Sequence, residues 1–422
     1  MSKVTESARG AQVGRRPVRT MMLVLALAGL SLPAVARDAG PMVSVAGDHE
    51  REGKQQVEAP LQILVSLKDQ KLDVYRGTQL IDSSRISSGK RGHSTPTGIF
   101  SILEKRRRHF SNLYDNAPMP YMQRLTWSGI ALHEGRVPNY PASHGCVRLP
   151  KGFASNLFGM TERGGHVVIT RERTRPDGIL HAALPRRDIK GTEVASLDDS
   201  VLGLRPALPG VAADGEPRTV AAIGKDAAAD AREAGDPLRI LITRTTARER
   251  IRDMQRVLDR LGYAPGPVDG VMGRKTRAAI RLFQEGADLP VTGEPTDVVL
   301  RRLYAEAGEA GPATGRVYVR RKFREIYAGN LVLKAPDAPL GTHLYTLIDA
   351  GGGISSGRWM SVTAAEAEGA SAASVLDRIE WSPQARRFVE DRLTLGTSLI
   401  VTDRPFRLHS GLGTDFVVTT RQ

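Results

Sequence analysis

Ser143-His144-Gly145-Cys146-Val147-Arg148-Leu149-Pro150 contains the only cysteine in a chain of 422 residues. A thiol needs a base or a positive field to become a thiolate near neutral pH. Two histidines, His133 and His144, lie within thirteen residues of Cys146. Gly145 permits unusual dihedrals and close approach of the backbone. Amide groups around Gly145 and Cys146 are therefore candidate donors to a developing oxyanion. Residue types alone leave two other readings open. One is a buried cysteine with two structural histidines. The other is a metal site built from Cys146, His133, His144 and His166, although that spacing matches no common zinc finger.

Upstream of this segment the pattern is that of short strands. Leu61, Ile63, Val65 and Leu67 alternate with Gln62, Leu64, Ser66 and Lys68. Leu72 to Tyr75 and Leu80 to Ile86 follow, separated by Gly77-Thr78. This predicts an antiparallel β domain that closes with Val167-Val168-Ile169-Thr170, with a helix over Gly152 to Thr161 just before. Residues 172–247 carry Pro, Gly, Ala and Asp without periodicity and read as a linker. From Arg248 the period becomes helical. Ile251, Met254, Val257, Leu258 and Leu261 recur on one side, and Gly262 ends the run. Further helices are expected over Thr276 to Glu285 and Thr296 to Tyr304, giving a small all-α three-helix bundle at 248–306. Thr276 is expected to help start the second of them.

Residues 316–420 return to β texture and repeat the first domain weakly. Lys71 to Gly77 resembles Lys322 to Gly329, Pro96-Thr97-Gly98 resembles Pro339-Leu340-Gly341, and Gly164 to Thr170 resembles Gly396 to Thr402. The fold class expected is multidomain: a mainly β catalytic domain at 60–171 (a mixed β-sandwich), the helical bundle, and a C-terminal β-rich degenerate repeat. The repeat lacks a cysteine and cannot share the thiol chemistry.

The N-terminus predicts export. Lys3, Arg9, Arg15, Arg16 and Arg19 precede an apolar run from Met21 to Leu32, then Pro33 and Ala34-Val35-Ala36. This is the order of a secretory signal over residues 1–36, with a polar tether at 37–59. The formal charge of +14 falls to +10 once five basic groups and one acidic group are removed with that signal. A basic exported protein has anionic partners such as carboxylate-rich wall peptides. Export argues against nucleic acid.

The segment around Cys146, with His133 at the end of a strand, resembles the signature of YkuD-type L,D-transpeptidases. Gly89, Thr95-Pro96-Thr97-Gly98-Ile99-Phe100, Met119-Pro120-Tyr121-Met122 and Leu125 to His133 extend the likeness over Leu61 to Thr170. Ile251 to Tyr304 resembles a peptidoglycan-binding three-helix domain through Gln255, Leu261-Gly262-Tyr263, Asp269 to Gly273, Phe283-Gln284 and Thr292-Gly293.

The resemblance implies a thioester between Cys146 and the third residue of a peptidoglycan tetrapeptide stem. An amine then resolves it, giving a 3→3 cross-link or attachment of a protein. It implies His133 as general base and acid, His144 as support for the thiolate or oxyanion loop, and Gly145 in the oxyanion region. Ser143 would order the loop, and Arg148 would hold a stem carboxylate. No cofactor or metal is implied. The expected partners are stem peptides and wall-tethered proteins, the compartment is the periplasm, and the role is in wall organisation and cell shape. With water as acceptor the same site is an L,D-carboxypeptidase. A non-enzymatic wall-binding scaffold is the third reading.

Overall fold

The fold is taken from a computed structural model, which describes residues 58–111, 116–138, 140–186, 235–309, 311–349, 357–404 and 414–421. The expected signal at 1–36 and all but the end of the tether at 37–59 lie outside the described residues. The first domain contains β1 (Leu61–Ser66), β2 (Lys71–Arg76), β3 (Gln79–Arg85), β4 (Thr97–Ser101), β5 (Glu104–Arg106), β6 (Met122–Arg124), β7 (Ala131–Glu134), β8 (Val147–Leu149), α1 (Lys151–Met160) and β9 (His166–Thr170). After it come β10 (Asp177–Ile179) and β11 (Arg239–Arg244), then the helices α2 (Ala247–Arg260), α3 (Arg274–Gly286) and α4 (Asp297–Glu306). The chain ends with β12 (Gly315–Arg321), β13 (Arg324–Leu333), β14 (Thr342–Asp349), β15 (Arg358–Ala365), α5 (Ala372–Leu376), β16 (Ile379–Trp381), α6 (Pro383–Glu390), β17 (Ser398–Thr402) and β18 (Val418–Arg421).

Three sheets stack. A four-stranded sheet runs β5-β6-β7-β8, a six-stranded sheet β18-β4-β9-β1-β2-β3, and an eight-stranded sheet β10-β15-β14-β17-β11-β12-β13-β16. The period of two along β1 explains the stacking. Ile63 and Val65 point to one face, where they join Phe100, Val167, Leu132, Val147 and Leu149 in the core of the first domain. Leu64 points to the other face, where it meets Leu241, Leu344 and Ile400 of the eight-stranded sheet. A strand buried on both faces loses polar alternation, so Leu64 sits where an exposed strand would carry a polar residue.

The helical bundle is an insertion. It lies in the chain between β11 and β12, which pair antiparallel with Leu241 opposite Tyr318. Thr246 and Glu249 form a reciprocal capping box at the start of α2. Met254, Leu258, Ile280, Phe283 and Leu303 form its core. Thr276 does not start α3: Gly273 occupies the N-cap with no side-chain bond. Thr276 is instead buried, accepts from Gln255 Nε2 at 3.1 Å and donates to the Pro265 carbonyl at 3.1 Å. The bundle is held to the sheet by Tyr318 Oη, which donates to Glu249 Oε1 at 2.7 Å.

The second β unit has the topology of the first. In the first, β1 pairs antiparallel with β2 and parallel with β9, Gln62 opposite His166. In the second, β11 pairs antiparallel with β12 and parallel with β17, Arg239 opposite Ser398. The order β4-β9-β1-β2-β3 recurs as β14-β17-β11-β12-β13. The repeat therefore starts at β11, inside the stretch read as linker, and not at 316. Only Ile240, Leu241 and Ile242 mark this strand, too short a run to stand out beside the helical pattern that follows. The Gly164 to Thr170 match is in register. The Lys322 to Gly329 match is one strand late: it covers the turn into β13, the counterpart of β3 and not of β2.

The units also exchange strands. β10, which follows the first unit, pairs with β15 of the second. β18, which follows the second, pairs with β4 of the first. Where the first unit has Cys146 directly before β8, the second has Arg378 directly before β16. Both strands begin nineteen residues before the equivalent positions His166 and Ser398. Arg378 donates to the carbonyls of Lys334, Pro339, Ala335 and Ala338 at 2.7–3.0 Å.

Candidate active site

β7 and β8 pair in parallel, with Leu132 opposite Val147 and His133 opposite Arg148. Side chains alternate across a strand, so Leu132, Val147 and Leu149 enter the hydrophobic core. Ala131, His133, Cys146 and Arg148 then share the opposite face. That face lines a cleft of about 310 Å³ together with Ser143 and His144. Five of the six residues expected from the sequence thus converge there, and Gly145 lies just behind them. Met119, Met122 and Ala131 pack against Cys146 and shield it from water.

His133 is 7% exposed. Its Nδ1 lies 2.6 Å from the carbonyl oxygen of Glu134. A carbonyl only accepts, so Nδ1 carries the proton and Nε2 is the basic nitrogen. Burial lowers the His133 pKa to about 4, opposed by the bond to Glu134 and assisted by the positive charge of Arg148. The Cys146 thiol donates to the Gly129 carbonyl at 3.3 Å. Burial pushes its pKa up, while a backbone bond from Ala131 and the guanidinium groups of Arg148 and Arg124 pull it down by less. The resting pair is consequently a thiol and a neutral imidazole.

The loop before Cys146 is tied at several points. Ser143 Oγ donates to the Cys146 carbonyl at 2.5 Å and accepts from the Gly145 N–H at 3.1 Å. The Gly145 amide is therefore already engaged. Gly145 also takes a backbone shape that favours glycine. Its φ is +114°, and a Cβ there would lie 2.8 Å from Ile130 Cδ1. His144 is exposed at the cleft rim, its ring 4.8 Å from that of His93 and nearly perpendicular to it. Partial desolvation and the charges of Lys90, His93 and Arg148 hold its pKa below the ordinary value. The Arg148 side chain crosses Gly135, where a Cβ would stand 3.1 Å from its methylenes.

Thr95, Gly129 and Arg124 belong to the site and were not singled out from the sequence. Thr95 bonds the Gly145 carbonyl at 2.7 Å, and Arg124 lines the cleft. Thr95 stood within the quoted threonine-proline motif, but nothing local indicates that its hydroxyl reaches fifty residues along the chain. His166 does not line the cleft; its Nε2 lies 2.8 Å from Ser398 Oγ. Among the described residues no group of three His, Cys, Asp or Glu is placed to hold a metal ion.

Residues 60–169 match the family model of the YkuD L,D-transpeptidase catalytic domain, and residues 247–303 match that of a peptidoglycan binding domain. No curated protein matches the chain. Among solved structures, an L,D-transpeptidase from Mycobacterium smegmatis is 20% identical over 26% of this chain and 59% of its own, with a TM-score of 0.26. One from Stackebrandtia nassauensis is 27% identical over 27% and 57%, with a TM-score of 0.25. Mycobacterium tuberculosis L,D-transpeptidase 1 is 25% identical over 26% and 62%, with a TM-score of 0.23. The chain thus spans about three fifths of the length of each of these relatives. By the two family models, residues 60–169 are similar to L,D-transpeptidase catalytic domains and residues 247–303 to peptidoglycan-binding domains.

Proposed function

We propose that this chain is an exported, periplasmic cysteine L,D-transpeptidase acting on peptidoglycan tetrapeptide stems. The observation that carries the reading is the shared face of β7 and β8, which brings His133 and Cys146 into one cleft with Arg148. Nε2 of His133 takes the proton of Cys146, and Sγ attacks the carbonyl carbon of the third stem residue. The tetrahedral intermediate collapses as His133 returns that proton to the departing D-alanine amine, leaving a thioester. An acceptor amine gives a proton to His133 and attacks the thioester. The new amide forms, and the thiolate recovers its proton. Arg148 and Arg124 supply cationic groups that suit the carboxylates of the stem. The helical bundle keeps the enzyme on its polymer.

Incubation with tetrapeptide muropeptides followed by mass analysis tests this. Cross-linked dimers and a Cys146 acyl adduct are expected. Shortened monomers alone would mean that water is the acceptor. Unchanged dimer formation by Cys146→Ala would overturn the reading.

A further inference from the structure

The end of the chain leaves the unit it follows and docks on the other. β18 lies antiparallel to β4, Val418 opposite Ile99 and Thr419 opposite Gly98. The fit is close. Gly98 has φ +147°, and a Cβ there would stand 2.0 Å from the Val418 carbonyl oxygen. The hydroxyls of Thr97 and Thr420 are 2.8 Å apart. Val417 enters the core of the catalytic unit. Buried Asp415 accepts from Ser101 Oγ at 3.0 Å.

The same stretch of the catalytic unit reaches the nucleophile at its other end. Two residues before β4, Thr95 Oγ1 accepts from the Gly89 N–H at 2.8 Å and donates to the Gly145 carbonyl at 2.7 Å. The Lys90 N–H donates to the Ser143 carbonyl at 2.9 Å, and the Ser143 N–H to the Ser88 carbonyl at 3.0 Å. The loop from Ser143 to Cys146 therefore hangs from the turn between Ser88 and Thr95. That turn runs straight into the strand whose outer edge β18 covers. An uncovered edge strand exposes its amides to water and opens locally. A displacement of about 1 Å at reacting atoms can cost about a hundredfold in rate.

We infer that the cysteine-less unit acts on catalysis through β18: β18 fixes β4, β4 fixes Thr95, and Thr95 fixes the Gly145 carbonyl next to Cys146. Thr95 is the positioning residue. The inference rests on the reading of Cys146 as nucleophile given above, and it assigns the second unit a role that its own lost chemistry does not.

The test compares deletion of residues 419–422 (which keeps Val417 and Val418 in the cores) with Thr95→Val, Thr95→Ser and the combination of deletion with Thr95→Val. Amide hydrogen exchange of the segment 143–146, melting temperature, and kcat and KM for thioester formation are measured on each full-length or truncated protein. The deletion and Thr95→Val should each speed exchange of that segment and lower kcat about tenfold, with KM within twofold. Thr95→Ser should restore both, and the combination should be no worse than Thr95→Val alone. If the deleted protein does not fold, Gly98→Ala in the full chain dislodges β18 instead and should give the same exchange pattern. Wild-type exchange and kcat without β18, or losses that multiply in the combination, would overturn the inference. Exchange needs no turnover, so it decides the positioning claim even if no stem peptide proves to be a substrate.

Discussion

His166 and Ser398 hold the same register position in two β units, and they touch: His166 Nε2 lies 2.8 Å from Ser398 Oγ. The two units therefore meet face to face at this pair. Burial holds the His166 pKa well below the ordinary value, assisted by the Arg239 charge. Its neighbour Gln62 donates to Thr346 at 2.9 Å across the same face. The second unit is thus part of the wall of the catalytic unit.

The apolar seam beside that pair should be worth a large part of the stability. Leu64, Leu241, Leu344 and Ile400 are buried there at 1–3% exposure. Leu344→Ala should cost about 2–5 kcal/mol through lost transfer energy and a cavity. Urea denaturation would read it, and fluorescence from both β units should report one coincident transition.

The acid limb of the reaction should lie far below the ordinary histidine range. The folded pKa of His133 is about 4 against an ordinary 6.5. The neutral base therefore persists down to about pH 4, and kcat/KM should fall there and not near 6.5. The same shift acts on stability. The unfolded chain binds a proton between 6.5 and 4 that the fold refuses, so the contribution is full above 6.5 and lost as pH falls toward 4. A pH–rate profile and melting curves at matched pH values check the two halves separately.

Cys146 should alkylate as a buried thiol, not as one half of an ion pair. Its pKa is raised by burial, so the iodoacetamide rate should keep climbing above the ordinary thiol range. An early plateau near neutral pH would refute the neutral resting pair. The cysteine is the only one in the chain, so intact mass reads the adduct without ambiguity.

His133→Ala should lower kcat/KM for thioester formation by about a hundred- to ten-thousandfold, the range for loss of a positioned general base. Cys146→Ala should abolish the adduct altogether. Both proteins should still bind isolated peptidoglycan through the helical bundle in a sedimentation assay.

Gln255 should be a keystone of that bundle. Its Nε2 donates to the Val271 carbonyl at 3.0 Å and to Thr276, and its Oε1 accepts from Gly270 at 2.8 Å. Gln255→Leu leaves the buried Gly270 N–H without its partner and removes one bond from Thr276, and should cost about 1–3 kcal/mol for the group left unpaired. Thermal unfolding and loss of sedimentation with peptidoglycan would measure it.

The sequence by itself determined the elements whose information is local. Helical period and the stop at Gly262 located the bundle, and strand alternation located β1 and β2. Residue chemistry made Cys146 a candidate reactive thiol, and the resemblance to YkuD-type L,D-transpeptidases named His133 as its partner. Tertiary structure decided whatever depends on pairing across long separations. β11 and β17 are neighbours although the bundle and most of the repeat lie between them. The shared two-residue period of strands let Lys322 to Gly329 resemble the wrong partner. The engaged Gly145 amide, the reach of Thr95 and the exchange of β10 and β18 were likewise invisible. A hydrogen bond between distant residues, or a strand pairing outside its own unit, leaves no periodic trace in the chain that makes it.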